Sequence, residues 1–582
     1  MSIIKSLTED IKELVQKAGY EVDNLQLQPS GRKDLGQYQL NDAMTLAKKY
    51  KKNPREIATD ILKVLEEDKR FTNLNIAGPG FINITLTDTY LGYLLTKIYN
   101  NKELNIDKKP QKTIVIDYGG ANVAKALHVG HLRSANIGEA LKRLANLLGY
   151  KAIGDAHLGD YGRPLGLVVL EIKKRYPNLE FFDETYTGDL EKIELPITND
   201  DLEEIYPYAS NKAKEDDNYL EEAREVTFKI QNHQRGYYDI WKKVVEISKQ
   251  DIKEVYDTLN VNFELWLGES DAENYIEDLT EIMNEHHVLK ESENALVIEV
   301  KEEDDNSPMP PLLYRRSNGT MSYATTDLAT ILQRKRELNP DEIWYCVDAR
   351  QSLHFEQVFR VARKVNLVED NVKLEHIGFG TMNGKDGKPF KTRDGGVMNL
   401  KGLIDLVTDE TRKRINPETV KEEEKESVAK TVAIAALKYA DLLPYRGTDY
   451  IFEIEKFADL EGKKGPYLLY STIRMKSLLN KGKELSIGEV TSFKTETERE
   501  IALTILRLPN ILDKSLETKT LNEITEYIYK LTSLYNKFYA ENKILTEEDK
   551  ELQKSWLTLT KIVYDINMML LDVLAIKVPE KM

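Results

Sequence analysis

The chain has 582 residues, 41% hydrophobic and 31% charged, enough for roughly three or four domains with substantial apolar cores. Its formal net charge of −16 argues against non-specific nucleic-acid binding but not against a specific RNA substrate, because phosphate recognition answers to local potential. The single cysteine, Cys346, excludes an internal disulfide and a cysteine-cluster metal site, and no stretch approaches the roughly 18 uninterrupted apolar residues of a membrane span.

In chain order, the opening MSIIKSLTED has helical polar spacing and does not read as a secretory signal, so a reducing cytoplasm is the expected setting. Residues 1 to about 100 predict a helix, a loop, two helices and a short β segment. Asn53-Pro54 starts one of those helices, running through Leu65, with proline near the first helical position where its missing N–H does no harm. A Gly78-Pro79-Gly80 turn follows, then Phe81, Asn83 and Thr85 alternate with Ile82, Ile84 and Leu86, as a half-buried strand requires. The Lys-rich stretch from Asn100 to Lys112 reads as a linker.

Thr113 to Tyr118 is a short apolar run like a buried strand, followed by Gly- and Ala-rich residues and a helix from about His128 to Gly149, with Ile137, Leu141, Leu144 and Leu148 on one face. Strand, glycine-rich loop and helix make the opening unit of a Rossmann-like, doubly wound nucleotide-binding sheet. The acidic residues 180–222 read as part of an insertion, whose plainest interpretation is a solvated surface excursion. Strands are expected at 295–300, 342–347 and 374–380, and from about Lys421 onward the pattern is almost wholly helical. Its apolar spacing is clear at Tyr527, Leu531, Leu534, Tyr535 and Phe538, then at Leu557, Ile562, Ile566, Met569 and Leu570. The fold class is therefore α/β with an α+β segment before the sheet and an all-α bundle after it.

The most informative stretch spans Ile116 to Ser134. His128 and His131, three apart, share one side of the helix's first turn, where exposed N–H groups and the positive dipole end favour anions. Two imidazoles there can grip polyphosphate oxygens, and Gly130 between them permits close approach of a nucleotide. A zinc site is the alternative, but helical zinc pairs are spaced four apart beside a glutamate, and neither a cysteine nor an obvious third ligand is near.

The motifs ANVAKALHVGHLRS (121–134), GDAHLGDYGRPLG (154–166), YATTDLA (323–329), DARQSLHFEQV (348–358), GTMNGKDGKPFKTRDGGV (380–397) and the terminal KVPEKM together resemble the class I aminoacyl-tRNA synthetases, and within them the arginyl family. The resemblance covers essentially the whole chain. It implies an N-terminal tRNA-contacting domain (1–110), a catalytic domain (111–455) with an insertion around 170–295, and a helical anticodon-binding domain (456–582). It also implies ATP with Mg²⁺, L-arginine and tRNA(Arg) as ligands, no structural metal, and no DNA or membrane partner. The protein is expected to be a cytoplasmic monomer.

Arginine's guanidinium needs a facing carboxylate. Asp327 is the candidate, with Tyr323 one turn earlier if the segment is helical; taken alone Asp327 reads better as a helix N-cap, and it is the resemblance, whose arginine-binding tyrosine and aspartate match these two positions, that reverses the order. The resemblance places Asn122 and Gln351 at the amino-acid end of arginine, adds Asp117 for its cationic groups, and puts Ala121, Asn122, Gly130, His131, His354 and Thr392 at ATP. The signature KMSKS is missing. Lys388-Pro-Phe-Lys-Thr-Arg393 stands in its place with ambiguous register, so Lys388 and Lys391 are both candidates, the alternative being a glycine-rich surface turn. Family members lacking the signature use a lysine just upstream of HVGH, here Lys125. Phe81 and Asn83 match the family's base-contacting positions, although Phe81 also suits an ordinary strand, and the aromatic stripe in GPYLLYSTIRMKS (465–477) is either core or anticodon surface. Two rivals remain. A cytidylyltransferase-type enzyme also begins a helix with HxGH but is usually smaller and lacks a helical C-terminal domain. A non-catalytic RNA-binding paralogue would be expected to have lost the histidines, Asp327 or the lysine loop.

Overall fold

The Gly78-Pro79-Gly80 turn uses the backbone freedom of its glycines. With φ of +53° at Gly78 and +146° at Gly80, it folds Phe71–Ala77 back on Phe81–Leu86 as an antiparallel hairpin. The structure is a computed structural model describing residues 3–25, 27–30, 35–317, 319–388, 398–453 and 462–582. Strands Leu27–Pro29 and Tyr38–Leu40 complete a four-stranded antiparallel sheet beside helices Ile3–Lys17 and Pro54–Glu66. The sequence pattern predicts only one of these four strands. Two are three residues long, and Phe71–Ala77 is interrupted by Asn73 and Asn75, so none offers a sustained alternation. The Pro54 helix forms as expected, with Asn53 capping it by accepting the Arg55 N–H.

Thr113–Tyr118 is the second-to-edge member of a four-stranded, all-parallel sheet. Lys151–Asp155 flanks it on one side; Glu342–Cys346 and then Lys373–His376 follow on the other. In this register Tyr345, Asp117 and Asp155 stand in one row across three strands, near their C-terminal ends. Ligands of doubly wound sheets bind at such ends. The helix after the first strand runs Val129–Leu147, and its predicted apolar face (Ile137, Leu141, Leu144, Leu148) is buried. Its polar residues are buried too: Arg133 and Asn136 pair with Asp441 of the C-terminal helix Glu422–Leu442, and Glu139 accepts from the Tyr118 hydroxyl.

Between the second and third of these strands, the insertion has a core of its own. Helices Arg163–Arg175, Asn199–Glu215, Asp217–Gln231 and Tyr237–Thr258 pack Val168, Ile172, Leu202, Ile205, Val226 and Ile240 together. The acidic stretch is thus a polar rind on a packed helical subdomain. A three-stranded antiparallel sheet (Leu289–Ser292, Ala295–Ile298, Leu312–Arg315) precedes helix Tyr323–Leu338. The C-terminal part is helical, from Leu400–Arg412 and Glu422–Leu442 to Lys550–Val573. Among the described residues no helix is long and apolar enough to cross a membrane.

Candidate active site

The HVGH segment caps its own helix. His128 is the N-cap: its Nδ1 accepts the Gly130 N–H at 3.0 Å, and the Nδ1 of His131 accepts the His128 N–H at 3.0 Å. The two rings lie 4.0 Å apart, centroid to centroid. A neutral imidazole whose Nδ1 is an acceptor carries its proton on Nε2, so the reciprocal cap sets both rings as N–H donors facing away from the helix. Burial, then the neighbouring charges, hold both imidazoles neutral: His128 is shifted down, and His131 is pushed down to about 3. Gly130 is required by the cap itself, since a Cβ there would fall 2.8 Å from the His128 ring.

Asp117, Asp155, Arg334 and His157 form a buried acid–base cluster at the C-terminal ends of the parallel strands. Arg334 is fully buried and its Nη2 donates at 2.7 Å to both carboxylates. The Nδ1 of His157 lies 3.5 Å from Asp155, and its Nε2 is 3.4 Å from the Thr330 hydroxyl. Burial pulls the His157 pKa down, but the bond to Asp155 and the two aspartate charges outweigh it and push it up to about 9. Burial raises Asp117, with Arg334 and His157 offsetting part of the effect. Two acids thus face the Arg334 guanidinium and the His157 imidazole. Asp117, expected at the substrate, has its Oδ2 committed to Arg334.

Asp327 lies on helix Tyr323–Leu338, whose N-cap is Ser322; the N-cap alternative for Asp327 is set aside. Tyr323 is the helix's first residue, one turn before Asp327, and 60% exposed. The Oδ2 of Asp327 is bonded at 2.6 Å to Nε2 of His354, which brings His354 to the same carboxylate. Glu269 is the residue that sequence reasoning missed. It is half-buried, its carboxylate has no hydrogen-bond or ion-pair partner among the described residues, and its carboxyl is pushed up to about 7, first by burial and then by the Asp327 charge. Its only local signal is the triplet Leu265-Trp266-Leu267 ahead of Gly268, too short to announce the extra bridges it makes beside Lys151–Asp155.

Asn122 is exposed on the loop before HVGH, tied by a parallel bridge to Gly159, where any Cβ would strike its amide oxygen at 2.4 Å. Ala121 is buried beside it, and Gln351 is exposed at the end of a short 3-10 turn. Lys125 holds its ammonium 4.5 Å from the ring centroid of Tyr206 in the insertion. Arg133, also missed, ties the histidine helix to the root of the glycine-rich loop: it pairs with Asp441 at 3.0 Å and donates to the carbonyls of Gly380 and Thr448. Lys388 is exposed, whereas Lys391 and Thr392 lie outside the described residues. Far from this centre, Phe81 is half-buried. Asn83 is fully buried, its oxygen accepting from Gln39 and its nitrogen donating to Asn75.

Residues 94–454 match the family model for the catalytic domain of class I (R) tRNA synthetases, 1–86 the arginyl tRNA synthetase N-terminal domain, and 468–582 the DALR anticodon-binding domain. An arginine–tRNA ligase of Alkaliphilus oremlandii is 41% identical and one of Agathobacter rectalis 42% identical, each alignment covering 100% of both chains. Among solved structures, an arginyl-tRNA synthetase from Plasmodium falciparum superposes with a TM-score of 0.78 at 25% identity, covering 99% of each chain. The Thermus thermophilus arginyl-tRNA synthetase gives a TM-score of 0.78 at 20% identity over 100% of each chain, a likeness of fold.

Proposed function

The chain belongs to the arginyl-tRNA synthetases of class I, and from that membership we propose how its residues divide the reaction. The reaction is that of an arginine–tRNA ligase: L-arginine and ATP form arginyl-adenylate and pyrophosphate, and arginine then passes to the 3′-terminal adenosine of tRNA(Arg), supplying charged tRNA for translation. The observation that carries the residue-level reading is Glu269 near Asp327, a half-buried carboxylate that forms no ion pair among the described residues at the edge of the Asp117–Asp155–Arg334–His157 cluster. A planar guanidinium supplies the missing charge and can meet both carboxylates, with Tyr323 covering one face. His354, expected near ATP, then also steadies Asp327 by holding one of its oxygens.

At the other end of arginine, Asn122, Gln351 and the free oxygen of Asp117 take the α-amino and α-carboxylate groups. The α-carboxylate is already a nucleophile, so positioning and charge stabilisation dominate. One of its oxygens bonds to the α-phosphorus as the bridging P–O bond breaks and the electron pair leaves with pyrophosphate. The Nε2–H groups of His128 and His131 bind the phosphate oxygens that gain charge, with Lys125, Lys388, Lys391 and Thr392 on the outer phosphates. Ala121, Asn122 and Gly130 line the nucleotide. ATP use follows from the catalytic domain; Mg²⁺ is taken to arrive on the phosphates. The described trio spaced to hold a cation, Asp117, Asp155 and His157, already encloses the Arg334 guanidinium and is assigned no metal.

In the second step the terminal 2′-hydroxyl attacks the carbonyl carbon of the adenylate, the bond from that carbon to the phosphate oxygen breaks, and AMP leaves with the hydroxyl's proton; bound tRNA is required even for the first step. Phe81 is assigned to tRNA; Asn83 would have to release Gln39 and Asn75 to reach a base. The anticodon is assigned to the helical domain (456–582), the elbow to residues 1–110, and the protein to the cytoplasm as a monomer. Charging total tRNA with each amino acid in turn tests this reading: arginine alone should be incorporated, and the acceptor should sequence as tRNA(Arg). Incorporation of lysine or glutamine instead would overturn it.

A further inference from the structure

The acidic insertion reaches the phosphate end of the site at two points. Lys125 follows Ala124, whose left-handed backbone (φ +60°) is pinned by its N–H donating to the Ser248 hydroxyl at 3.0 Å, on the insertion helix Tyr237–Thr258. From there the Lys125 ammonium lies over the ring of Tyr206, on the insertion helix Asn199–Glu215. On the other flank of the histidine cap, Asn399 bridges to His128, and the Leu400 N–H donates to the Leu127 carbonyl at 2.7 Å. The next residue, Lys401, is paired with Asp251 of the insertion. The subdomain therefore holds both chain segments that frame His128 and His131.

Tyr206 stands in a helix that also carries Asp200, Asp201, Glu203 and Glu204, yet among the described residues Lys125 has no carboxylate partner. The distinction matters for phosphate binding. A carboxylate would neutralise the ammonium, whereas an aromatic face holds a cation through its quadrupole and leaves the charge available to an incoming anion. Lysine's four rotatable bonds would otherwise have to be ordered when ATP binds, at the expense of affinity. In the held position the Lys125 charge is felt by both imidazoles, so the ammonium is already close to the cap.

We propose that Tyr206 is a positioning residue for ATP, its ring presetting the Lys125 ammonium beside His128 and His131, so that the insertion tunes adenylate formation without touching substrate. The inference rests on the assignment of Lys125 to the phosphates, and the test separates the two. ATP–pyrophosphate exchange is measured with arginine and tRNA present for Tyr206→Leu, Tyr206→Phe, Lys125→Met and the Tyr206→Leu/Lys125→Met double variant. Tyr206→Leu should raise KM for ATP by roughly three- to thirtyfold, with KM for arginine within about twofold. Tyr206→Phe keeps the ring and should match the parent. Lys125→Met should be impaired at least as much as Tyr206→Leu, and the double variant no worse than Lys125→Met alone. An unchanged ATP KM in Tyr206→Leu beside an impaired Lys125→Met overturns the Tyr206 proposal only, as does a Phe variant as poor as Leu, or full additivity in the double variant. An unimpaired Lys125→Met overturns the phosphate assignment itself, and this inference with it.

Discussion

Replacing Glu269 by glutamine removes one of two carboxylates proposed to face the substrate guanidinium while keeping the side chain's size and its carbonyl oxygen. Glu269 is half-buried, its carboxylate has no hydrogen-bond or ion-pair partner among the described residues, and its pKa is pushed up to about 7 by burial and the nearby Asp327 charge. Losing one partner of a buried charge pair costs about 2–5 kcal/mol. A site that is partly exposed and half-ionised near neutrality belongs at the low end, about 2–3 kcal/mol, or roughly 30- to 150-fold in kcat/KM for arginine. The pH dependence has a definite sign. The ionised carboxylate is the binding form, so the parent's kcat/KM for arginine should fall as pH drops through about 7, by roughly tenfold between pH 8 and pH 6. The glutamine variant has nothing to titrate and should be flat over that window. Pyrophosphate exchange with arginine varied, tRNA present and ATP saturating reads both effects. A variant within about twofold of the parent, or one that keeps the acid-side fall, refutes the placement of Glu269 against the guanidinium.

Two further outcomes follow from the same geometry. His131→Ala removes one phosphate donor and should slow single-turnover adenylate formation by about 10²–10³-fold while the protein stays folded; an unchanged rate would dismiss the reciprocal cap as mere helix termination. His157 is held protonated up to about 9, above the roughly 6.5 of an unfolded chain, so its stabilising charge is fully present below about pH 6.5 and lost as pH rises through 9. The urea midpoints of parent and His157→Gln should therefore converge between about pH 6.5 and 9.5; a gap that stays constant means that the imidazole is neutral in the folded protein.

Local features of this site were legible from the residues alone. The strand that carries Asp117 near its end, the helix opening at His128 and the one-turn spacing of Tyr323 and Asp327 depend on neighbours within a few positions, and hydrophobic period and capping chemistry report those. The glycine between the histidines was legible too, though its necessity lies in the imidazole cap as much as in any nucleotide.

What the chain order could not disclose was which distant groups share a dielectric. Arg334 sits 217 residues from Asp117 and 179 from Asp155, yet it donates to both; Asn83 reads as a strand residue at a base-contacting position, yet Gln39 and Asn75 engage its amide. The composition and periodicity of the sequence determined that a doubly wound sheet with an anion-binding helix end would form, because hydrogen-bonded elements are specified by short-range pattern. Only the tertiary structure decided which carboxylates remained unneutralised. The charge state of a buried group depends on every cation the fold brings within a few ångströms, and no local pattern encodes that neighbourhood.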